Sequence, residues 1–382
     1  MIKRLPADFI VEEQADLPFR PAGEFRVYAL QKSGWTTPDL IRRFSWAARI
    51  PLSRISYGGK KDKHGLTSQF IAVRDPRDLG RRGRDFSLQA VGFMDRPMGP
   101  DLIRANTFTV TIRDIADTGP LERNTEEVRQ SGFPNFFDDQ RFRSYDPQRG
   151  FFAEKILQRH WNGALQVYLT SAAADSTKKE RARLAAIFES WKDWPVCLCL
   201  AREPLEKTVF DYLAGHPGDS RGALRLIPDE EVAMRYAAFQ SHLWNELLRR
   251  LLRQKIAALE EVKRSEGGYL FWRSLDSGSL SYLGDLEIPT AAAKPDFRDE
   301  ITATIYADIL REAALQPGAF RTKELRRVSF RPFLRKALLL PRDLKIVESG
   351  DDGLHPGRKK LTVSFSLPRG AYGTMLIKRL EL

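Results

Sequence analysis

The chain is poor in the residues from which covalent and metal-built scaffolds are made. Its 382 residues include two cysteines and five histidines. The cysteines, Cys197 and Cys199, alternate in the apolar stretch PVCLCLA. That spacing does not suit a disulfide, and a metal site needs more ligands, so the pair is expected to face different surroundings in a buried element. His64, His160, His216, His242 and His355 show no ligand spacing. No run of about 18 apolar residues occurs, and MIKRLPADF lacks the apolar region of a signal peptide. These absences lead us to expect a reducing, cytoplasmic setting without a structural metal. Internal repeats and low-complexity tracts are missing too.

The chain does carry charge of one sign. Lysine and arginine number 62 against 50 acidic residues, a formal net charge of +12, while 42% of residues are hydrophobic and 10% aromatic. This is a folded protein long enough for two domains, and its excess charge favours a polyanionic partner.

The first 150 residues read as mixed α/β. SGWTTPDLIRRFSWAARI predicts a helix with Thr37 as N-cap and Pro38 in the first turn. QFIAVRD, FSLQAVGF and NTFTVTIRD predict strands by alternation, and PLERNTEEVRQSG predicts a helix closed by Gly132. The middle of the chain is richer in helical periodicity. In AMRYAAFQSHLWNELLRRLLRQKI, Phe239, Leu243, Leu247 and Leu251 form an apolar stripe, with Arg249, Arg250 and Arg253 outside. KLTVSFSLP and TMLIKRLEL at the end predict two further strands around the turn PRGAYG. Helix-rich material between β-rich ends predicts an inserted domain.

The stretch ISYGGKKDKHGLTSQF, residues 55–70, concentrates the chemistry. As a phosphate-binding P-loop it fails: five residues separate Gly59 from Gly65, Leu66 stands where lysine is needed, and a strand follows in place of a helix. As a charge run it reads as a solvated hairpin turn. Against that, Arg54 to Arg84 holds nine lysines and arginines and three acidic residues. Asp62 would therefore sit ionised in a polyanion-binding region, where its charge opposes binding and needs a chemical reason.

The same stretch resembles the signature loop of the TruD family of tRNA pseudouridine synthases, G-x-K-D-[KR]-x-[AG]-x-T-x-Q, at Gly59, Lys61, Asp62, Lys63, Gly65, Thr67 and Gln69. KRLPADFIVEEQ is similar to the family's opening, with Lys3, Pro6, Asp8, Phe9 and Val11 in register and Glu12 or Glu13 at its acidic position. RANTFTVTIRD, GFPNFFDDQRF, FQSHLWNELL and FSLPRGAYGTMLIKRL resemble further family motifs in the expected order. Asp138 and Arg143 stand where the family has glycine.

The resemblance implies an α+β protein with a mixed, mainly antiparallel sheet. Residues 1–152 and 325–382 would form a pseudouridine-synthase catalytic domain, interrupted by an inserted TRUD-type domain at 153–324. It implies isomerisation of a uridine in tRNA, at position 13, without cofactor, metal or nucleotide, by a cytoplasmic monomer. Asp62 would be the catalytic carboxylate, attacking C1′, adding to the pyrimidine, or taking a proton from the sugar. Lys3 would be its ion-pair partner, with Lys61 as the competing candidate. Phe9, Phe137 and Tyr372 would hold the extruded base, and Asn135 would meet its polar edge or a ribose hydroxyl. Phe136 is expected in the core. Arg54, Lys60, Lys63, Arg141 and Arg335 are candidates for the RNA backbone, together with Arg74, Arg326, Arg327, Arg331 and Lys336. Two rivals stand beside this reading: a non-catalytic RNA-binding or chaperone protein on the same scaffold, and a nucleotide-dependent enzyme resting on the glycine-lysine loop alone.

Overall fold

A computed structural model describes residues 2–75, 77–142, 144–172, 176–264, 267–321 and 328–382. The chain divides into two compact units, one of Met1–Phe133 with Leu339–Leu382 and the other of Pro134–Leu338. The second unit thus takes in residues 134–152 and 328–338, which the sequence pattern assigned to the outer part. The expected boundary at 324/325 lies outside the described residues, as do Arg143, Arg326 and Arg327.

The first unit is built on a nine-stranded sheet. Its strands are β1 (Phe9–Ala15), β2 (Phe25–Lys32), β3 (Ile55–Tyr57), β4 (Leu66–Val73), β5 (Arg81–Arg82), β6 (Phe86–Met94), β7 (Ile103–Ile115), Arg342–Asp351 and Lys359–Pro368. The order runs Arg342–Asp351, Lys359–Pro368, β7, β1, β4, β2, β6, β5, with β3 pairing β4. The β1–β4 pair is parallel and the other pairs of this sheet are antiparallel. The fold is α+β with a mainly antiparallel sheet.

Alternation along β2 and β4 sends Tyr28, Leu30, Ile71 and Val73 into one cluster with Leu40, Ile41 and Phe44 of helix α1 (Thr37–Ala48). Val27 and Ala72 go to the other face, with Met94, Met98 and Ile103. Helix α1 is capped by Thr36, whose hydroxyl accepts from Asp39 N, so the cap lies one residue earlier than expected and Thr37 is released for another role. Helix α2 (Gly119–Ser131) ends as expected at Gly132, with φ +63° and its N–H on Val128 O.

The C-terminal segment corrects the expectation of a strand. TMLIKRLEL does not extend; Gly373–Leu380 is a helix. Gly373, Met375, Leu376, Ile377, Arg379 and Leu380 are all buried, a pattern that a period of two does not produce and a helix of eight residues does. Asn124 of α2 donates to the carbonyls of Leu380 and Leu382, and Arg379 pairs with Glu127, so the helix end is held by its neighbour.

In the second unit the helix Asp229–Lys255 buries Phe239, Leu243, Trp244, Leu247, Leu248, Leu251 and Leu252 as the stripe predicts. Arg249 departs from expectation. It is buried and donates to Glu246 and to Gly268 O, so its guanidinium serves packing within the unit. Cys197 is buried and Cys199 exposed on one helix, Trp194–Leu200. Among the described residues, no helix is long and apolar enough to cross a membrane.

Candidate active site around Asp62

Asp62 stands on the irregular loop between β3 and β4. Glycine is needed at two places there. A Cβ on Gly58 would lie 2.5 Å from Ile103, and one on Gly65 would lie 2.5 Å from Phe9 O. Between these close approaches, the loop backbone is tied residue by residue. Gln69 Nε2 donates to Gly59 O at 3.0 Å, and Lys61 N donates to Thr37 Oγ1 at 3.0 Å. Thr37 Oγ1 in turn donates to Gln69 Oε1 at 2.7 Å, closing a ring from α1 through the loop to β4. Gly34 N donates to Lys63 O at 2.9 Å. The matched Gln69 therefore has a structural role, because its amide replaces the pairing that an irregular loop cannot make for itself.

The carboxylate itself is left to the surface of this frame, with 29% of its side chain exposed. Lys3 Nζ donates to Asp62 Oδ2 at 2.8 Å, and Oδ1 takes no hydrogen bond from the described residues. The same ammonium lies 4.0 Å from the centroid of the Phe9 ring, which the site thus uses as a seat for Lys3. Lys3 has φ +63°, a left-handed conformation that favours glycine and is held here by its surroundings. The N-terminal segment is anchored close by. Arg113 bridges Asp8 at 2.9 Å and Asp352 at 2.7 Å, and Asp8 also accepts from Leu5 N. Although burial opposes the charge of Asp352, hydrogen bonds from Leu354 N, His355, Asp114 N and Arg113 hold its carboxyl well below the usual range.

Lys61 does not compete for Asp62. Its ammonium pairs with the fully buried Glu13 carboxylate at 2.7 Å and donates to Asn106 at 2.5 Å. Glu13 also accepts from Phe70 N at 3.0 Å, whereas Glu12 is exposed. The expectation that Lys61 competes to pair with Asp62 is therefore corrected: its side chain is a buried strut that fixes the loop to β1 and β7.

Sequence reasoning missed Lys32. It ends β2, is 1% exposed, and donates to Trp35 O at 2.8 Å, Asp62 O at 2.8 Å and Lys61 O at 3.3 Å. Burial pushes its ammonium down to about 8, with Asp62 resisting the shift and Lys61 adding to it.

The aromatic expectations divide. Phe9 is buried, edge-on to Phe108 at 6.1 Å, and Phe108 stacks on Phe365 at 5.2 Å, giving a ladder of rings across three strands. A Cβ on Gly373 would meet the Phe108 ring at 2.8 Å, which requires glycine next to the half-buried Tyr372. Arg54, Lys60 and Arg74 are exposed, Arg74 in an ion pair with Glu24, and Lys63 is exposed as well.

The remaining expected residues belong to the Pro134–Leu338 unit. Asn135 is 4% exposed, its Nδ2 donating to Lys336 O at 2.9 Å and its Oδ1 accepting from Arg335 at 2.5 Å. Arg335, 7% exposed, also donates to Asn135 O at 2.9 Å and Phe136 O at 3.3 Å, and its guanidinium lies 4.1 Å from the Phe137 ring centroid. The Arg335 expectation is corrected, because Arg335 is no surface cation; the Asn135 amide is hydrogen-bonded inside the protein. Phe137 is buried against Trp244, while its backbone N–H and C=O both pair with the Asn245 amide at 2.9 Å. Phe136 is core, against Tyr269. Arg141 is half-buried and donates to Ser241 at 3.2 Å; Lys336 and Arg331 are exposed. Asp138 is buried without a left-handed backbone, so glycine is not required there.

A family model described as tRNA pseudouridine synthase D (TruD) matches residues 1–266 and 286–380. The chain belongs to the TruD family. It is 28% identical to tRNA pseudouridine synthase D of Leptospira interrogans over 100% of this chain and 96% of that protein. Its identity to tRNA pseudouridine synthase D of Aquifex aeolicus is 27%, over 99% and 97%. Its fold is similar to the crystal structure of the putative tRNA pseudouridine synthase D (TruD) from Methanosarcina mazei, with TM-score 0.73 and 24% identity, covering 100% of this chain and 93% of that one.

Proposed function

We propose that this chain converts a uridine of tRNA, at position 13, to pseudouridine, and that the Asp62 carboxylate is the group that acts on the nucleotide. The reaction breaks N1–C1′, turns the detached base and joins C5 to C1′, after which a proton leaves C5. It is an isomerisation, so one aimed and ionised carboxylate serves where a redox group would not.

The observation that carries the reading is the state of Asp62. Its backbone is held on several sides, one carboxylate oxygen is paired with Lys3, and the other, without a hydrogen bond from the described residues, is available to substrate. An extruded base needs a ring to rest on. Of the three matched aromatics, Tyr372 keeps surface for that contact, while Phe9 and Phe137 are buried. Arg54, Lys60 and Lys63 are proposed to meet phosphates, giving salt-sensitive binding. Membership of the TruD family supports assigning Met1–Phe133 with Leu339–Leu382 to catalysis and Pro134–Leu338 to the inserted domain. We further take the active form to be a monomer working in the cytoplasm without a cofactor.

An unmodified tRNA transcript incubated with the protein, then mapped by pseudouridine-specific chemistry and primer extension, tests this. A single modified position 13 is expected. Binding of the transcript without any conversion would replace this reading with the RNA-binding or chaperone alternative.

A further inference from the structure

We propose that Lys32 is a positioning residue for this reaction: a single buried ammonium locks both peptide planes that flank Asp62 and so aims its carboxylate. The inference rests on the reading of Asp62 as the catalytic group. Lys61 O belongs to the peptide before Asp62 and Asp62 O to the peptide after it, and Lys32 Nζ donates to both, as well as to Trp35 O. Fixing both planes fixes φ and ψ of residue 62. Only the side-chain torsions then remain, and Lys3 takes one oxygen. Lysine suits this position in a way that arginine and methionine do not. An ammonium is a compact centre with three donors, and it meets three carbonyls.

Burying an ammonium is unfavourable, and the structure does so at the last residue of β2. Among the described residues, no carboxylate pairs with it in compensation. Asp62 is held by Lys3, and Glu13 is held by Lys61. Opposite Lys32 on β4 and β6 stand the uncharged Thr67 and Phe86. The groove of about 730 Å³ that Lys32 lines adds Asp78, Arg81, Arg82, Arg84 and Asp85.

Titration gives the inference a signature. With its ammonium pushed down to about 8, Lys32 loses a proton at mildly alkaline pH and keeps two hydrogens for three carbonyls. Catalysis should then fall. Stability should not: the folded value lies below the unfolded 10.5, so between the two the unfolded chain binds more protons, and this group's contribution to stability rises with pH. A residue that only holds the fold would not produce these opposite trends.

The test is kcat and KM for a tRNA transcript from pH 6.5 to 9, beside circular dichroism, for the wild type, Lys32→Met and Asp62→Asn. We expect a wild-type kcat that declines around pH 8 with the fold retained, and a Lys32→Met enzyme about 10²-fold lower in kcat, with KM within a few-fold and no such decline. A folded Lys32→Met with wild-type kcat overturns the inference. Should Lys32→Met fail to fold, Lys32→Gln takes its place in the same comparison, and a folded Lys32→Gln with wild-type kcat overturns the inference. Activity in Asp62→Asn would instead overturn the catalytic reading, so the two failures are told apart.

Discussion

Two irregular loops, Gly58–Gly65 in one unit and Pro134–Asp138 in the other, are held by the same device and left in opposite states. Each has a buried cation beneath backbone carbonyls: Lys32 under Lys61 O and Asp62 O, and Arg335 under Asn135 O and Phe136 O. Each has an amide side chain that replaces missing backbone pairing, Gln69 for Gly59 and Asn245 for Phe137. In the first loop this frame leaves the Asp62 side chain with one oxygen that takes no hydrogen bond from the described residues. In the second, the side chains that the motif displays, Asn135 and Phe137, are themselves taken up by the protein. On the proposed reading the spare atom of the first loop serves the chemistry, and the second loop, its side chains occupied within the protein, serves as scaffold.

The contrast can be broken most strongly at the scaffold. Arg335→Met strips the donor from two carbonyls and from Asn135 Oδ1 at once. It is expected to destabilise the Pro134–Leu338 unit by about 3–5 kcal/mol, read by denaturant unfolding, because buried acceptors left without donors carry a full desolvation penalty. Lys3→Met should do the reverse. Its pair with Asp62 is partly exposed and contributes at most about 1 kcal/mol to stability. Yet kcat should fall by about 10–10²-fold, because the carboxylate loses the group that aims it. Smallest of all is Lys60→Ala with Lys63→Ala. Stability should not change measurably, while the slope of log affinity for tRNA against log salt should shrink by about one for each phosphate that is no longer neutralised.

Legibility in the sequence follows the same division. Asp62, Lys3 and Gln69 were legible because the motif fixes their spacing within one loop and one terminus. Lys32 was not, since a lysine at the end of YALQK looks like any solvated strand end, and its burial arises from a loop that closes over it from thirty residues away. The mutual burial of Arg335 and Asn135 is illegible for a related reason: the partners are 200 residues apart in the chain, and no local pattern announces it. The C-terminal helix was missed because nine residues rich in leucine and isoleucine fit either period until α2 supplies a surface. The core stripe of Asp229–Lys255 was plain, as long periodic helices usually are.

On the proposed reading, the Asp62 carboxylate performs the chemistry on a frame that does not depend on it. Asp62→Asn keeps the shape and removes the charge, so single-turnover conversion of a tRNA transcript, measured beside transcript binding and thermal melting, addresses it without an intermediary. Conversion is expected to drop to background while affinity and melting temperature stay close to wild type. Pseudouridine appearing at the wild-type rate in Asp62→Asn would contradict that reading.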